Sequence, residues 1–270
     1  MRRLPALASL TLGAALLLGV AQADPVRSSP RFTAELRLPD LDQEAPMRLR
    51  VTRTGTSYRL GFQSAVKNVG AGPLIIEGQR RSHAIRAMTA AQLIPSSTGL
   101  QRVADVGELR FVRSSDHQHW HLLGFDRYEL RRAGEGTTIV ADHKTGFCLG
   151  DRYRISGRAL PNAAPAKAYR SSCGKHEPWR HGIREGISVG WGDDYKAFLE
   201  GQELSLDGLE DGRYVVVHRV NADGRLRELT DRNNAASVLF VLTWRASKPS
   251  IRVLASCPDQ PDCELPGLRG

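Results

Sequence analysis

Three histidines at alternate positions, His117, His119 and His121, stand in the run Asp116-His117-Gln118-His119-Trp120-His121. On an extended strand alternate residues point the same way, so this spacing sets three imidazoles on one face. They can make three corners of a metal site and leave a fourth position open, a donor set that suits copper or zinc. Gln118 and Trp120 then face the other side, to pack or pair across a sheet. The chain has eight histidines, and three of them at strict period two is more than a solvent-facing strand edge requires. A cupin-type site would need a carboxylate a few residues on, and Leu122-Leu123-Gly124-Phe125 offers none.

Two more clusters follow along the chain. His143-Lys144-Thr145-Gly146-Phe147-Cys148-Leu149 places an amine beside a fourth histidine, and Gly186-Ile187-Ser188-Val189-Gly190 precedes Asp193-Asp194-Tyr195. G-x-S-x-G alone would indicate a hydrolase nucleophile elbow, but that motif needs a strand–turn–helix setting that the flanking residues do not predict.

The elements that position these groups read as strands. Tyr58–Val66 alternates, Asn68–Pro73 turns and Leu74-Ile75-Ile76 resumes an apolar run. Leu109–Val112, Phe125–Leu130, Thr137–Ala141, Gly212–Val217, Ala236–Trp244 and Ile251–Leu254 have strand composition. One short helix is expected around Ala84–Leu93. Residues 150–182, rich in Arg, Pro, Ser and Ala, form one long excursion of the kind that is functional or mobile in a compact domain. The expected fold is all-β, a single-domain antiparallel β-sandwich with long loops and little helix.

At 270 residues, with 41% hydrophobic and 25% charged residues, the chain can bury a core and is neither disordered nor fibrous. Its 38 Lys+Arg outnumber 29 Asp+Glu, for a formal net charge of +9. The basic residues are scattered, which predicts a solvated surface and no nucleic-acid partner. Arg2 and Arg3, the apolar stretch Ala6–Val20 and Ala21-Gln22-Ala23 predict a signal peptide over residues 1–23, cut after Ala23 and leaving no membrane anchor. The remainder, 24–270, is expected in the periplasm or medium. There Cys148, Cys173, Cys257 and Cys263 predict two disulfides. Of three possible pairings, short spacing favours Cys257–Cys263, which leaves Cys148–Cys173.

In order, H-x-H-x-H, H-K-x-x-F-C-L and G-x-S-x-G with its D-x-Y resemble the catalytic domain of the lysyl oxidase family. Leu38-Pro39-Asp40-Leu41, Val66-Lys67-Asn68 and Asn233-Asn234 are similar to further motifs of that family, so the resemblance runs from about Leu38 to Trp244. It implies that His117, His119 and His121 bind copper, with His143 as a fourth ligand, and that Lys144 and Tyr195 join to form lysine tyrosylquinone. It also implies Asp193 as the catalytic base, with Asp194 in reserve. Asp40, Glu228, Asp231, Asn233 and Asn234 are then the residues for a structural calcium ion, which some animal relatives carry. The implied activity is a secreted copper-dependent amine oxidase. Peptidyl lysine or a small primary amine and molecular oxygen would enter, and an aldehyde, hydrogen peroxide and ammonia would leave. The competing expectations are a secreted copper-binding β-sandwich module without catalysis, and a purely structural sandwich.

Overall fold

In the computed structural model, residues 35–114, 118–141, 146–197, 199 and 201–265 are described. They form sixteen strands: β1 (Leu41–Gln43), β2 (Met47–Thr54), β3 (Ser57–Asn68), β4 (Leu74–Gln79), β5 (Ala87–Ser96), β6 (Gly99–Arg113), β7 (Gln118–Leu122), β8 (Asp126–Arg132), β9 (Thr138–Ala141), β10 (Tyr153–Arg154), β11 (Gly182–Ile187), β12 (Trp191–Tyr195), β13 (Glu203–Ser205), β14 (Gly212–Val220), β15 (Ala235–Arg245) and β16 (Lys248–Cys257). There is no helix among the described residues, and every strand pairing is antiparallel. The all-β expectation holds.

The strands make three sheets. One runs β11-β4-β5-β6-β7, a second runs β16-β15-β14-β8-β9, and the third is built around β3. β3 is more buried than the alternation of its sequence predicts, since Gly61 and Ala65 are covered as well. Leu60, Phe62, Ser64, Val66 and Asn68 are buried, while Arg59, Gln63 and Lys67 between them are half-buried. Its first half pairs with β2 and β13, and its second half with β1 and β12. The principal core draws on all three sheets, with Phe62, Met88, Trp120, Tyr128, Phe147, Tyr195, Tyr214 and Phe240 among its buried side chains. These residues all fall in the compact unit Ala34–Gly270.

The helix expected around Ala84–Leu93 is not there. Residues 87–96 form β5, hydrogen-bonded to β4 on one side and β6 on the other. Helix propensity is a weak prior, and here Met88, Ala90, Ala91, Gln92, Leu93 and Ile94 are all buried between neighbours that supply a complete ladder. The other predicted strands are present, most with longer bounds; β9 is one residue shorter than expected and β8 starts at Asp126. β1, β2, β10, β11, β12 and β13 add to them.

Both expected disulfides form, Cys148–Cys173 and Cys257–Cys263. The long excursion is also present. After β10 the chain runs without a further strand to β11, but it is tied down. Trp191 Nε1 donates to Ala164 O, Trp120 Nε1 to Glu177 O, and Arg80 to the carbonyls of Pro178 and Arg180. No helix of the described residues is long and apolar enough to cross a membrane. The expected signal segment, 1–23, lies outside the described residues.

Candidate functional site

β7 carries the histidine pattern. It pairs with β6, His119 opposite Val112 and His121 opposite Arg110. As the period-two spacing requires, the two rings lie side by side, 4.7 Å between centroids. His121 is buried and His119 half-buried. Trp120 faces the other way and is fully buried, with Phe111 against its edge and the Arg80 guanidinium over its ring. Gln118 Oε1 accepts from His176 Nδ1 at 3.0 Å. His117, His143 and Lys144 lie outside the described residues.

β7 is linked to the tyrosine. Leu122, the residue after His121, exchanges both backbone hydrogen bonds with Phe147. The Phe147 ring meets the Tyr195 ring edge-on at 4.8 Å. Tyr195 closes β12, opposite Ser64 of β3, and is 3% exposed. Its hydroxyl donates to the Cys148 carbonyl at 2.6 Å, and Asp193 Oδ2 stands 3.3 Å away as a second acceptor. The Arg152 guanidinium lies over the ring, 4.9 Å from its centroid.

Asp193 has no exposed surface. Arg152 Nε pairs with its Oδ1 at 2.5 Å, and the Gly150 amide donates to its Oδ2 at 3.2 Å. Burial pushes the carboxyl up, Arg152 pulls it down, and the balance lies at about 7. A carboxyl poised there is well matched to general-base work near neutral pH. Burial, then the neighbouring Asp193, hold the Tyr195 phenol well above its ordinary value, against the pull of Arg152.

The turn from β11 to β12 contains G-x-S-x-G, and it is no nucleophile elbow. The Ser188 hydroxyl donates to Asp151 Oδ2 and its amide to Asp151 Oδ1. Asp151 also takes the amides of Ala168 and Tyr169, so one buried carboxylate ties this turn to the excursion. Gly186 is required by close approach, since a side chain there would run into the Leu74 carbonyl. Gly192 leaves space for the Tyr153 ring in the same way.

Sequence reasoning did not find three residues of this cluster, Asp151, Arg152 and Glu185. The first two directly follow Phe147–Gly150, and a charged pair set behind such an apolar run was the available signal. Glu185 is 2% exposed. Its carboxyl lies within 4.8 Å of both sulfurs of the Cys148–Cys173 disulfide. These atoms are not a metal site, because the disulfide consumes both thiols. Burial, then Asp193, raise the Glu185 carboxyl well above its ordinary value. His218, which carried no signal in the sequence, is fully buried between Asp126 and Gln43.

Four of the remaining predicted residues meet in pairs beside the start of β1, while Asp231 is exposed. Asn233 Nδ2 donates to Asp40 Oδ1, and Asn234 and Asn221 donate to Glu228 Oε1. Asp40 N in turn donates to Asn68 Oδ1. The Leu38–Leu41, Val66–Asn68 and Asn233-Asn234 motifs are therefore neighbours in space. Asp194 stands aside from the tyrosine and accepts from Gln63.

Comparison with known proteins accords with this arrangement. A family model described as lysyl oxidase matches residues 107–248, about half of the chain. Lysyl oxidase homolog 1 of Homo sapiens is 28% identical over 155 residues, covering 54% of this chain and 24% of that relative. Protein-lysine 6-oxidase of Gallus gallus is 27% identical over 144 residues, covering 50% of this chain and 30% of the relative. The Sus scrofa protein of that name is likewise 27% identical over 144 residues, 50% of this chain and 51% of the relative. The match thus spans between a quarter and a half of these relatives' length. With its histidine strand, its buried tyrosine and a matched stretch that contains both, the chain belongs to the lysyl oxidase family.

Proposed function

We propose that this protein is an exported copper-dependent amine oxidase that converts primary amines, peptidyl lysine among them, to aldehydes with release of hydrogen peroxide and ammonia. In this reading His117, His119, His121 and His143 hold the copper, and Lys144 and Tyr195 become lysine tyrosylquinone. What carries the reading is Tyr195, a phenol sealed in the core with a poised carboxylate at its hydroxyl.

The donor set fits the implied groups. His119 and His121 stand side by side on one strand, and imidazole suits copper. Lys144 stands three residues before Phe147 in the sequence, and Phe147 packs on Tyr195. When bound, copper and the quinone supply the two-electron oxidation of the amine by oxygen.

The chain's own residues do the rest. Asp193 Oδ2 accepts protons beside Tyr195, first the phenol's own and then, in turnover, the α-proton of the substrate amine. Phe147 and Arg152 cover Tyr195 and keep water from the ring. Two disulfides accord with an oxidising compartment, and export through a signal segment over residues 1–23 is part of this proposal. A structural calcium ion at Asp40, Glu228, Asp231, Asn233 and Asn234 is the lesser part of the proposal, supported by the convergence of Asp40 with Asn233 and of Glu228 with Asn234.

A tryptic peptide map after incubation with copper and air tests the reading. A joined species carrying Lys144 and Tyr195, absent from Lys144→Ala, is expected. Two separate unmodified peptides in copper-loaded protein would instead make this a copper-binding module without catalysis.

A further inference from the structure

Arg152 is the unusual member of the cluster. It lies at the entrance to β10, where its amide donates to the Gly192 carbonyl at 2.9 Å, so the main chain holds it across from the strand that ends in Tyr195. Its guanidinium makes two contacts at once, an ion pair with Asp193 Oδ1 and a cover over the Tyr195 ring. Its side chain is 31% exposed, while the carboxylate it grips is wholly buried. A buried carboxylate keeps its charge only if it is paired. Remove the guanidinium and Asp193 takes up a proton, which ends its capacity to accept one from Tyr195.

We propose that Arg152 is the positioning residue of this site, holding the Tyr195 ring and the Asp193 carboxylate together so that the phenol can pass its proton to that carboxylate. The inference rests on the reading of Tyr195 as the quinone precursor. The step balances simply. The O–H bond of Tyr195 breaks, its proton moves to Asp193 Oδ2, and a phenolate replaces a carboxylate. Arg152 faces one negative charge before and after the transfer, so no net charge appears in the core.

The Tyr195 hydroxyl has one proton and two acceptors. At rest it points to Cys148 O, the shorter contact. A turn about its C–O bond brings it to Asp193, whose Oδ2 is kept in place by the Gly150 amide and whose Oδ1 is kept by Arg152. The other acid facing the phenol is Glu185 of β11, and its burial and proximity to Asp193 keep it protonated over a wider pH range. Lysine at position 152 could pair with Asp193, but its compact ammonium cannot also lie flat over the ring as a guanidinium does.

The test uses the full chain as wild type, Arg152→Gln and Arg152→Lys, with thermal unfolding to confirm that each folds. First, copper and air are added and the appearance of the quinone absorption is timed. Arg152→Gln should slow it at least about tenfold, equivalent to one unit of lost acidity at the phenol, and Arg152→Lys should recover part of the rate. Second, 3-fluorotyrosine is placed at position 195 and titrated in the metal-free protein by fluorine NMR. Arg152→Gln should move the ionisation to higher pH and shift the resonance, and Arg152→Lys should restore the ionisation more than the resonance. A wild-type maturation rate in Arg152→Gln, or an unchanged fluorine titration, overturns the inference. If copper-loaded wild type forms no quinone, the amine oxidase reading falls. The metal-free titration then decides the role of Arg152 alone.

Discussion

The hydroxyl of Tyr195 is bonded to the backbone carbonyl of Cys148, 2.6 Å away and 47 residues earlier in the chain. Cys148 is in turn fixed to Cys173, so the placement of one phenol depends on a covalent tie in a different segment. Loss of Cys148–Cys173, through Cys148→Ser with Cys173→Ser, should therefore cost both stability and the site. Chain entropy for a separation of 25 residues predicts a loss of about 3 to 4 kcal/mol, with quinone formation lost as well. The Cys257–Cys263 pair closes only 6 residues. Its removal should cost about 2 kcal/mol and leave the quinone untouched. Urea unfolding and the visible absorption spectrum measure both.

Asp193 gives the pH dependence. Its proton-accepting form is the carboxylate, which exists above about 7. Amine oxidation should rise as pH passes through that value and level off above it. Asp193→Asn should lower turnover by about 100- to 10,000-fold, the range for loss of a general base. Peroxide release between pH 5 and pH 9 checks both, and a flat profile in the wild type would remove Asp193 from the role.

Glu185 should show itself in stability. Burial raises its folded-state pKa well above the ordinary 4.5, so the folded protein binds this proton more tightly than the unfolded chain. That contribution is complete below 4.5 and is lost as pH climbs toward the folded value. Glu185→Gln removes the liability. Relative to wild type the variant should therefore gain stability as pH rises from 5 to 8. Denaturant midpoints at the two pH values give the comparison, and an equal midpoint difference at both would contradict it.

Copper uptake should need the histidine strand. His119→Ala and His121→Ala should each weaken binding by more than about 100-fold, the upper end of what loss of a mere orienting partner costs. The sheet should survive the His119 change better, since His119 is only half-buried and His121 is buried. Metal content after dialysis against a competing chelator separates the two effects from wild type.

Asp151 should prove a structural hub. Asp151→Ala strands four donors, the amides of Ala168, Tyr169 and Ser188 and the Ser188 hydroxyl. At about 1 kcal/mol for each bond, the loss should approach 3 to 4 kcal/mol, with faster proteolysis between β10 and β11. Limited trypsin digestion and thermal unfolding provide the readout.

Most of the sheet architecture was legible because alternation and β-branched content are local signals. β14 and β15 announced themselves through Val215-Val216-Val217 and Val238-Leu239-Phe240-Val241. β5 did not, because Ala, Met, Gln and Leu carry helix propensity and only the neighbours β4 and β6 reveal that a ladder awaits them. The metal-type histidines were visible for the same local reason, as spacing on one strand. Arg152 was not, since its meaning lies in a contact with Asp193, 41 positions later, across a pairing that no short window displays. His218 carries no local signal for the same reason, since its partner Asp126 is 92 residues away.

The two anchors of the excursion, Asp151 at its start and Cys173 near its end, carry a practical consequence for engineering. They fix the segment's limbs, so the tip between them bears little of the fold. Ser156, Gly157, Arg158 and Ala159 are all exposed, and a side chain at Gly157 would meet nothing. Exposed tips of this kind accept insertions. A recognition peptide or a small binding module spliced there would ride on a rigid base, which makes this loop the natural port for retargeting the protein to a chosen surface.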